Sequence, residues 1–197
     1  MLNEHQLQTL NDVFWREIAG ISWSQIGRVY LLALLVFIPG IIRIRKKKST
    51  FKDVFLVYWL VVWSGIMLCI TILRREPGYA SGKISPFPTW ENFGGNGLKT
   101  VFSIYNVLLF VPYGFLIRLQ RHRSENRKAF IFTLVVGLIT TWGIEIIQLV
   151  TSMGNFEFTD IINNFIGALI GAIMGGAFLK IYRKCRFGLH PERNILK

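Results

Sequence analysis

The sequence predicts an all-α fold, a polytopic transmembrane helical bundle of about five spans, and three observations predict it. Of 197 residues, 52% are hydrophobic and 17% charged, with a mean hydropathy of +0.42, which leaves too little polar surface to cover a water-soluble globule of this size. Uncharged stretches run from Val54 to Leu73, Thr100 to Ile117 and Ile161 to Leu179, each close to the roughly 20 helical residues that cross a bilayer core. The net charge of +12 is gathered in blocks beside those stretches rather than along one amphipathic face. It therefore reads as topology and excludes a nucleic-acid surface. Cys69 lies within an apolar run and Cys185 in a basic tail, so the two cysteines make no disulfide framework.

Taken in order, residues 1–23 carry Glu4, Asp12 and Glu17 without a basic leader, which argues against a cleaved signal peptide. Leu7, Leu10, Phe14, Ile18 and Ile21 recur at helical spacing. That pattern fits an amphipathic segment on the membrane interface, and equally a frayed tail. The membrane bundle is placed at 24–182, with spans at about 24–42, 54–73, 100–118, 129–150 and 161–180. In the first span, Arg28 leaves few uncharged residues before Ile42, so the span draws on Ile18–Gly27 for length and Arg28 snorkels near the boundary.

Arg43, Arg45, Lys46, Lys47, Lys48 and Lys52 fill the first connection, and Arg118, Arg121, Arg123, Arg127 and Lys128 the third. Lys180, Arg183, Lys184, Arg186, Arg193 and Lys197 lie along the end of the last span and the basic tail, residues 183–197. Seventeen of the 23 Lys and Arg residues thus fall on one side. The positive-inside rule makes that side cytoplasmic in a bacterial plasma membrane, and turns the N-terminus, residues 74–99 and residues 151–160 outward.

The connection at 74–99 holds Pro77, Pro86, Pro88, Gly78, Gly82, Gly94, Gly95 and Gly97, a composition that breaks both helix and strand and predicts an irregular external loop. Tyr79, Phe87, Trp90 and Phe93 interleave with the breakers. Such rings suit a loop resting on lipid headgroups, or a lid that contacts a ligand.

Chemistry is expected where polar side chains enter the membrane. Glu145 interrupts an otherwise uncharged fourth span, and a carboxylate at mid-bilayer costs about 2.5–3.5 kcal/mol even on insertion scales, which marks it as a functional candidate. Gln148 follows on the same helical face, and Thr141 and Gly137 continue that face inward. In the fifth span Asp160, Asn164, Gly167, Gly171 and Gly175 form one stripe. Its glycines are a small-residue packing motif, expected to meet the fourth span. With about 1.5 Å of rise per residue, Asn106, Glu145 and Asn164 come to one level, roughly 6–9 Å below the outer surface. Interhelical hydrogen bonding alone, about 0.6 kcal/mol per pair, is the structural explanation of such a cluster. Three carboxylates, Glu145, Glu157 and Asp160, without a cation in the same spans exceed what packing requires. His5, His122 and His190 are scattered, so neither a metal cluster nor a cofactor is predicted.

At these residues the sequence resembles the VanZ-like family of membrane proteins. The resemblance rests on Asn106-x5-Pro112-x-Gly114-Phe115-Leu116, Glu145-x-x-Gln148 and Phe156-Glu157-x-x-Asp160-x-x-x-Asn164-x-x-Gly167, with Ser85-Pro86-Phe87 in the outer loop. It covers about residues 84–180. The founding members confer low-level resistance to the glycopeptide antibiotic teicoplanin, which is what the resemblance implies for this chain. Depth, helical spacing and these motifs together give Asn106, Glu145, Gln148, Glu157, Asp160 and Asn164 as ligand-binding candidates, and Pro112, Gly114, Gly167, Gly171 and Gly175 as structural ones. Members usually carry an arginine six residues before the aspartate that corresponds to Asp160. This chain has Gly154 there, so either the site is reshaped or a countercharge comes from elsewhere, with Arg28, Arg74 and Arg75 as the outward-side candidates.

Three functions fit. The leading one is a non-enzymatic accessory protein whose outward polar cleft binds a glycopeptide antibiotic or lipid-linked cell-wall precursor, with membrane lipids as its surroundings. The alternative is a membrane-embedded enzyme acting on an envelope lipid or precursor, with Glu145 and Asp160 as general acid and base. The third, a proton-coupled transporter using Glu145, lacks an evident inverted repeat.

Overall fold

The computed structural model describes residues 22–73, 75, 78, 82–86 and 97–188, with Gln8, Asn11, Asp12 and Trp15 near the start. The amphipathic segment predicted over 1–23 lies almost wholly outside the described residues, as do Arg74, the loop aromatics Tyr79, Phe87, Trp90 and Phe93, and tail residues 189–197. The described elements are α1 (Trp23–Leu34), α2 (Phe37–Arg45), α3 (Phe51–Leu68) continued by a π-helical turn (Cys69–Leu73), β1 (Ile84–Ser85), α4 (Gly97–Gln120), α5 (Asn126–Val150), β2 (Phe156–Glu157) and α6 (Phe158–Gly188). Five stretches, Trp23–Arg45, Phe51–Leu73, Val101–Gln120, Asn126–Val150 and Phe158–Cys185, are long and apolar enough to cross a membrane. Their outer faces expose Leu31, Leu32, Ile38, Ile139, Ile173 and Ile181, side chains that water would penalise and lipid does not. The chain is an all-α, multi-pass membrane protein.

The first stretch is two helices rather than one. Ser22 opens α1 with a capping box, its Oγ accepting from Gln25 N at 3.2 Å while Gln25 Oε1 accepts from Ser22 N at 3.1 Å. The chain then turns at Leu35 and Val36. Pro39 is the cause, because it has no N–H for the Leu35 carbonyl and its ring crowds that oxygen.

The glycine stripe of α6 lies against α4, which corrects its expected placement on the fourth span. A Cβ at Gly167 would run into the Val107 carbonyl oxygen, one at Gly171 into the Val111 carbonyl oxygen and, at 2.7 Å, Phe115 N, and one at Gly175 would stand 2.9 Å from Arg118 Cβ. Gly114 returns the contact, its missing side chain making room for the Ala168 backbone. The fourth span meets α6 at a different point, Gly137 against the Ala168 methyl. Within α4, Pro112 leaves the Leu108 carbonyl without its helical donor, and the neighbouring Leu109 carbonyl accepts from Trp63 Nε1 at 2.9 Å, joining α3 to α4. Met67, Phe110, Tyr113, Ile117, Ile144 and Ala168 make the apolar core of these four helices.

Because backbone atoms block the space at Gly171, the neighbours cannot yield by changing rotamer. Gly171→Leu should therefore separate α4 from α6 and destabilise the protein by about 3 kcal/mol or more. The check is a lower membrane yield together with a lower thermal midpoint in detergent.

Residues 84–85 and 156–157, far apart in sequence, form a short parallel bridge that pairs Ile84 with Phe156 and Ser85 with Glu157. Phe156 N donates to Lys83 O at 2.9 Å and Lys83 N to Asn155 Oδ1 at 3.2 Å. This corrects the expectation that the loop forms no strand, since the second connection supplies the partners that the Pro/Gly composition does not. The three basic blocks share the opposite end of the bundle. Arg123 Nη2 pairs with Asp53 Oδ2 at 2.7 Å, Arg183 Nη2 donates to His122 O at 2.5 Å, and Lys52 Nζ donates to Tyr182 OH at 3.2 Å.

Candidate functional site

The acidic end is assembled by the way α5 stops. Ser152 takes a left-handed φ of 54°, Ser152 N donates to Leu149 O at 3.2 Å, and Met153 N donates to Gln148 O at 3.0 Å. This is a Schellman ending with serine at the position that usually holds glycine. It folds residues 154–157 back over the helix end, so that Glu157 N donates to Glu145 Oε2 at 3.0 Å. Glu145 is 2% exposed on the face of α5 that also buries Gly137, Thr141, Ile144 and Gln148. A carboxylate at that depth persists only with partners, and the Glu157 amide is one.

Asp160 follows in the first turn of α6, where the helix dipole favours negative charge, and the Asn106 side chain on α4 hydrogen-bonds it. Glu157, Glu145 and Asp160 are near enough to act on one another electrostatically. Three carboxyl groups gathered in one place favour a cation beside them. Arg75 is the described basic residue whose charge acts on both Glu145 and Asp160. Its Nη1 donates to Met153 O at 3.3 Å and stands 2.6 Å from where a Cβ on Gly154 would be. The absence of a side chain at 154 is thus what admits the Arg75 guanidinium. Arg28 is committed within its own helix, Nε donating to Ser24 O at 3.2 Å and Nη2 to Ser24 Oγ at 3.4 Å.

The six predicted ligand-binding residues divide by accessibility. Glu145, Gln148 and Asn164 are buried, whereas Asn106, Glu157 and Asp160 are half-buried. Gln148 Nε2 donates to Thr71 O at 2.9 Å, and Asn164 Nδ2 to Thr141 Oγ1 at 2.8 Å. These two amides join helices. The Thr71 carbonyl sits in the π-helical turn, where the changed register frees backbone groups for outside partners. The half-buried residues form the rim of the cluster.

Sequence reasoning missed three contributors. Trp142 lies one turn before Glu145, is 40% exposed and meets Phe156 with ring centroids 5.6 Å apart, giving the rim an apolar side. Its position on the Glu145 helix was the available signal. Asn163 is buried with Nδ2 unpaired among the described residues, and Thr71 acts through its backbone, which no side-chain pattern reveals. Among the described residues, no group of three His, Cys, Asp or Glu is arranged to hold a metal ion. The arrangement can accept hydrogen bonds from ammonium or amide donors through its carboxyls, beside an aromatic surface.

The sequence model described as VanZ/LLP1 matches residues 29–179. Protein VanZ of Enterococcus faecium is similar to this chain, 33% identical over 118 residues, which amount to 60% of this chain and 65% of that protein. The match thus spans a little less than two thirds of the relative's length. No solved structure matches.

Proposed function

The chain belongs to the VanZ/LLP1 family, and from that premise we propose that it lowers susceptibility to teicoplanin or a related lipophilic glycopeptide, through a polar site that faces outward from a bacterial plasma membrane. The observation that carries the reading is the convergence of Glu145, Glu157, Asp160 and Arg75 beside Trp142 and Phe156. Carboxyls accept from the amide and ammonium groups that a peptide antibiotic offers, and an aromatic surface next to lipid receives an acyl chain, each buried CH₂ contributing about 0.8 kcal/mol. Orientation follows from charge. The three basic blocks lie at the other end of the bundle, and the positive-inside rule assigns that end to the cytoplasm.

Expression of the protein should raise the inhibitory concentration of teicoplanin more than that of vancomycin, because only teicoplanin brings an acyl chain to the membrane. Cell-wall precursors should keep their ordinary termini. Equal protection against both drugs would refute the lipophilic-ligand reading. A second reading, a membrane-embedded enzyme, is favoured by two carboxyls, Glu145 and Asp160, near enough to act on one another and so to serve as an acid and a base. Altered precursor termini in expressing cells would select it.

A further inference from the structure

At the end opposite the acidic cluster, the Val36 turn, α2, the α2–α3 connection, α3, the end of α4 and the α4–α5 connection surround a cleft of about 510 Å³. Its floor is apolar, made by Val36, Pro39, Val54 and Val57, and its mouth carries Arg43, Lys48, His122 and Arg123 against a single carboxylate, Asp53. Asp53 is already engaged: it accepts from Thr50 N at 2.7 Å and Thr50 Oγ1 at 2.9 Å, and it pairs with Arg123 at 2.7 Å and His122 at 3.6 Å. Arg43 and Lys48 are exposed, and among the described residues neither has a carboxylate partner. The cleft therefore keeps an uncompensated positive charge.

Two further groups narrow its ligand. Ser49 Oγ and Gln120 Oε1 both line the cleft, and both are buried without a hydrogen-bond partner among the described residues. Buried polar atoms are normally paired, and this pair offers one donor and one acceptor. The cleft also lies at the membrane boundary, where the stretches Trp23–Arg45 and Val101–Gln120 end and Phe51–Leu73 begins. Cations and a hydroxyl above an apolar floor, at the depth of lipid phosphates, complement a headgroup rather than a freely soluble anion.

We propose that this cleft binds an anionic, hydroxyl-bearing phospholipid of the phosphatidylglycerol type. Its phosphate meets Arg43, Lys48 and Ser49, a headgroup hydroxyl donates to Gln120 Oε1, and an acyl chain lies over Val36, Pro39, Val54 and Val57. A choline headgroup would bring its own cation among these basic residues and has no hydroxyl for Gln120, while inorganic phosphate leaves the apolar floor unused. The proposal stands apart from the antibiotic reading, since it uses none of the acidic-end residues.

The test is the thermal midpoint of the full-length protein in detergent, titrated with dioleoylphosphatidylglycerol, dioleoylphosphatidylcholine or sodium phosphate. Phosphatidylglycerol should raise the midpoint by roughly 5–10 °C at about a hundredfold excess over Kd, with little response to the other two. The double variant Arg43→Gln, Lys48→Gln changes exposed side chains outside the Asp53 network. It should keep the wild-type midpoint without lipid and bind phosphatidylglycerol at least about tenfold more weakly, a difference of about 1.4 kcal/mol. Lys48→Gln alone provides the same comparison with a single change, and should weaken binding in the same direction. Equal stabilisation by phosphatidylcholine, stabilisation by phosphate alone, or undiminished lipid affinity in both variants would overturn the proposal.

Discussion

Cells expressing Glu145→Gln should be as sensitive to teicoplanin as cells without the protein, although the variant reaches the membrane at the wild-type level. The substitution is nearly isosteric, and the amide oxygen can still accept from Glu157 N, the hydrogen bond that Glu145 Oε2 receives at 3.0 Å. Only the ionisable group is lost. A neutral amide beside Glu157 and Asp160 adds no like-charge repulsion. The thermal midpoint should therefore correspond to a stability within about 1 kcal/mol of wild type, or above it. Full resistance in this variant would reduce Glu145 to interhelical packing. A fall in yield would move the effect from function to folding.

The second large effect concerns the cation. Arg75→Ala should leave the acidic residues without the guanidinium that acts on Glu145 and Asp160. It should abolish resistance and destabilise the protein by about 2 kcal/mol, less than the 3–5 kcal/mol of a fully buried pair because Arg75 is half-buried. Gly154→Arg alone should cost resistance only in part, since its Cβ would be placed 2.6 Å from Arg75 Nη1, the far end of a side chain that can move aside. Combined, the two changes exchange one arginine for another over the same carboxyls. The double variant should regain resistance at least in part, which is the non-additivity of a shared site. The check is drug susceptibility of the four proteins at matched membrane levels. Independent, additive losses would show that Arg75 and Gly154 do not share a site.

The five spans were legible because lipid imposes a length and a composition that interrupted apolar runs record directly. Other features are set by tertiary partners. Helical periodicity defines the Gly167, Gly171 and Gly175 face but not its neighbour, and the face meets α4 carbonyls rather than α5. The turn at Leu35 and Val36 was readable in principle from Pro39. By contrast, the π-helical turn at Cys69–Leu73 has no composition signal, since its register serves a bond from Gln148 to the Thr71 carbonyl. Pairing of Ile84 and Ser85 with Phe156 and Glu157 is too short to show strand alternation. At the candidate site, sequence depth aligned Asn106, Glu145 and Asn164, yet the structure joins Asn106 to Asp160 and Asn164 to Thr141. The placement of Arg75 over Gly154 depends on how a Pro/Gly-rich connection leaves α3, which sequence spacing does not encode.

The most direct test of an outward-facing site is the labelling of Lys83→Cys, in a Cys185→Ser background, by a membrane-impermeant maleimide in intact cells. Lys83 is exposed beside Asn155 and takes part in the β1–β2 contact through its backbone, so its side chain can be replaced. Labelling is expected from outside without permeabilisation, slowed by teicoplanin and not by vancomycin. Labelling that requires permeabilised cells would place the acidic cluster in the cytoplasm and contradict that orientation.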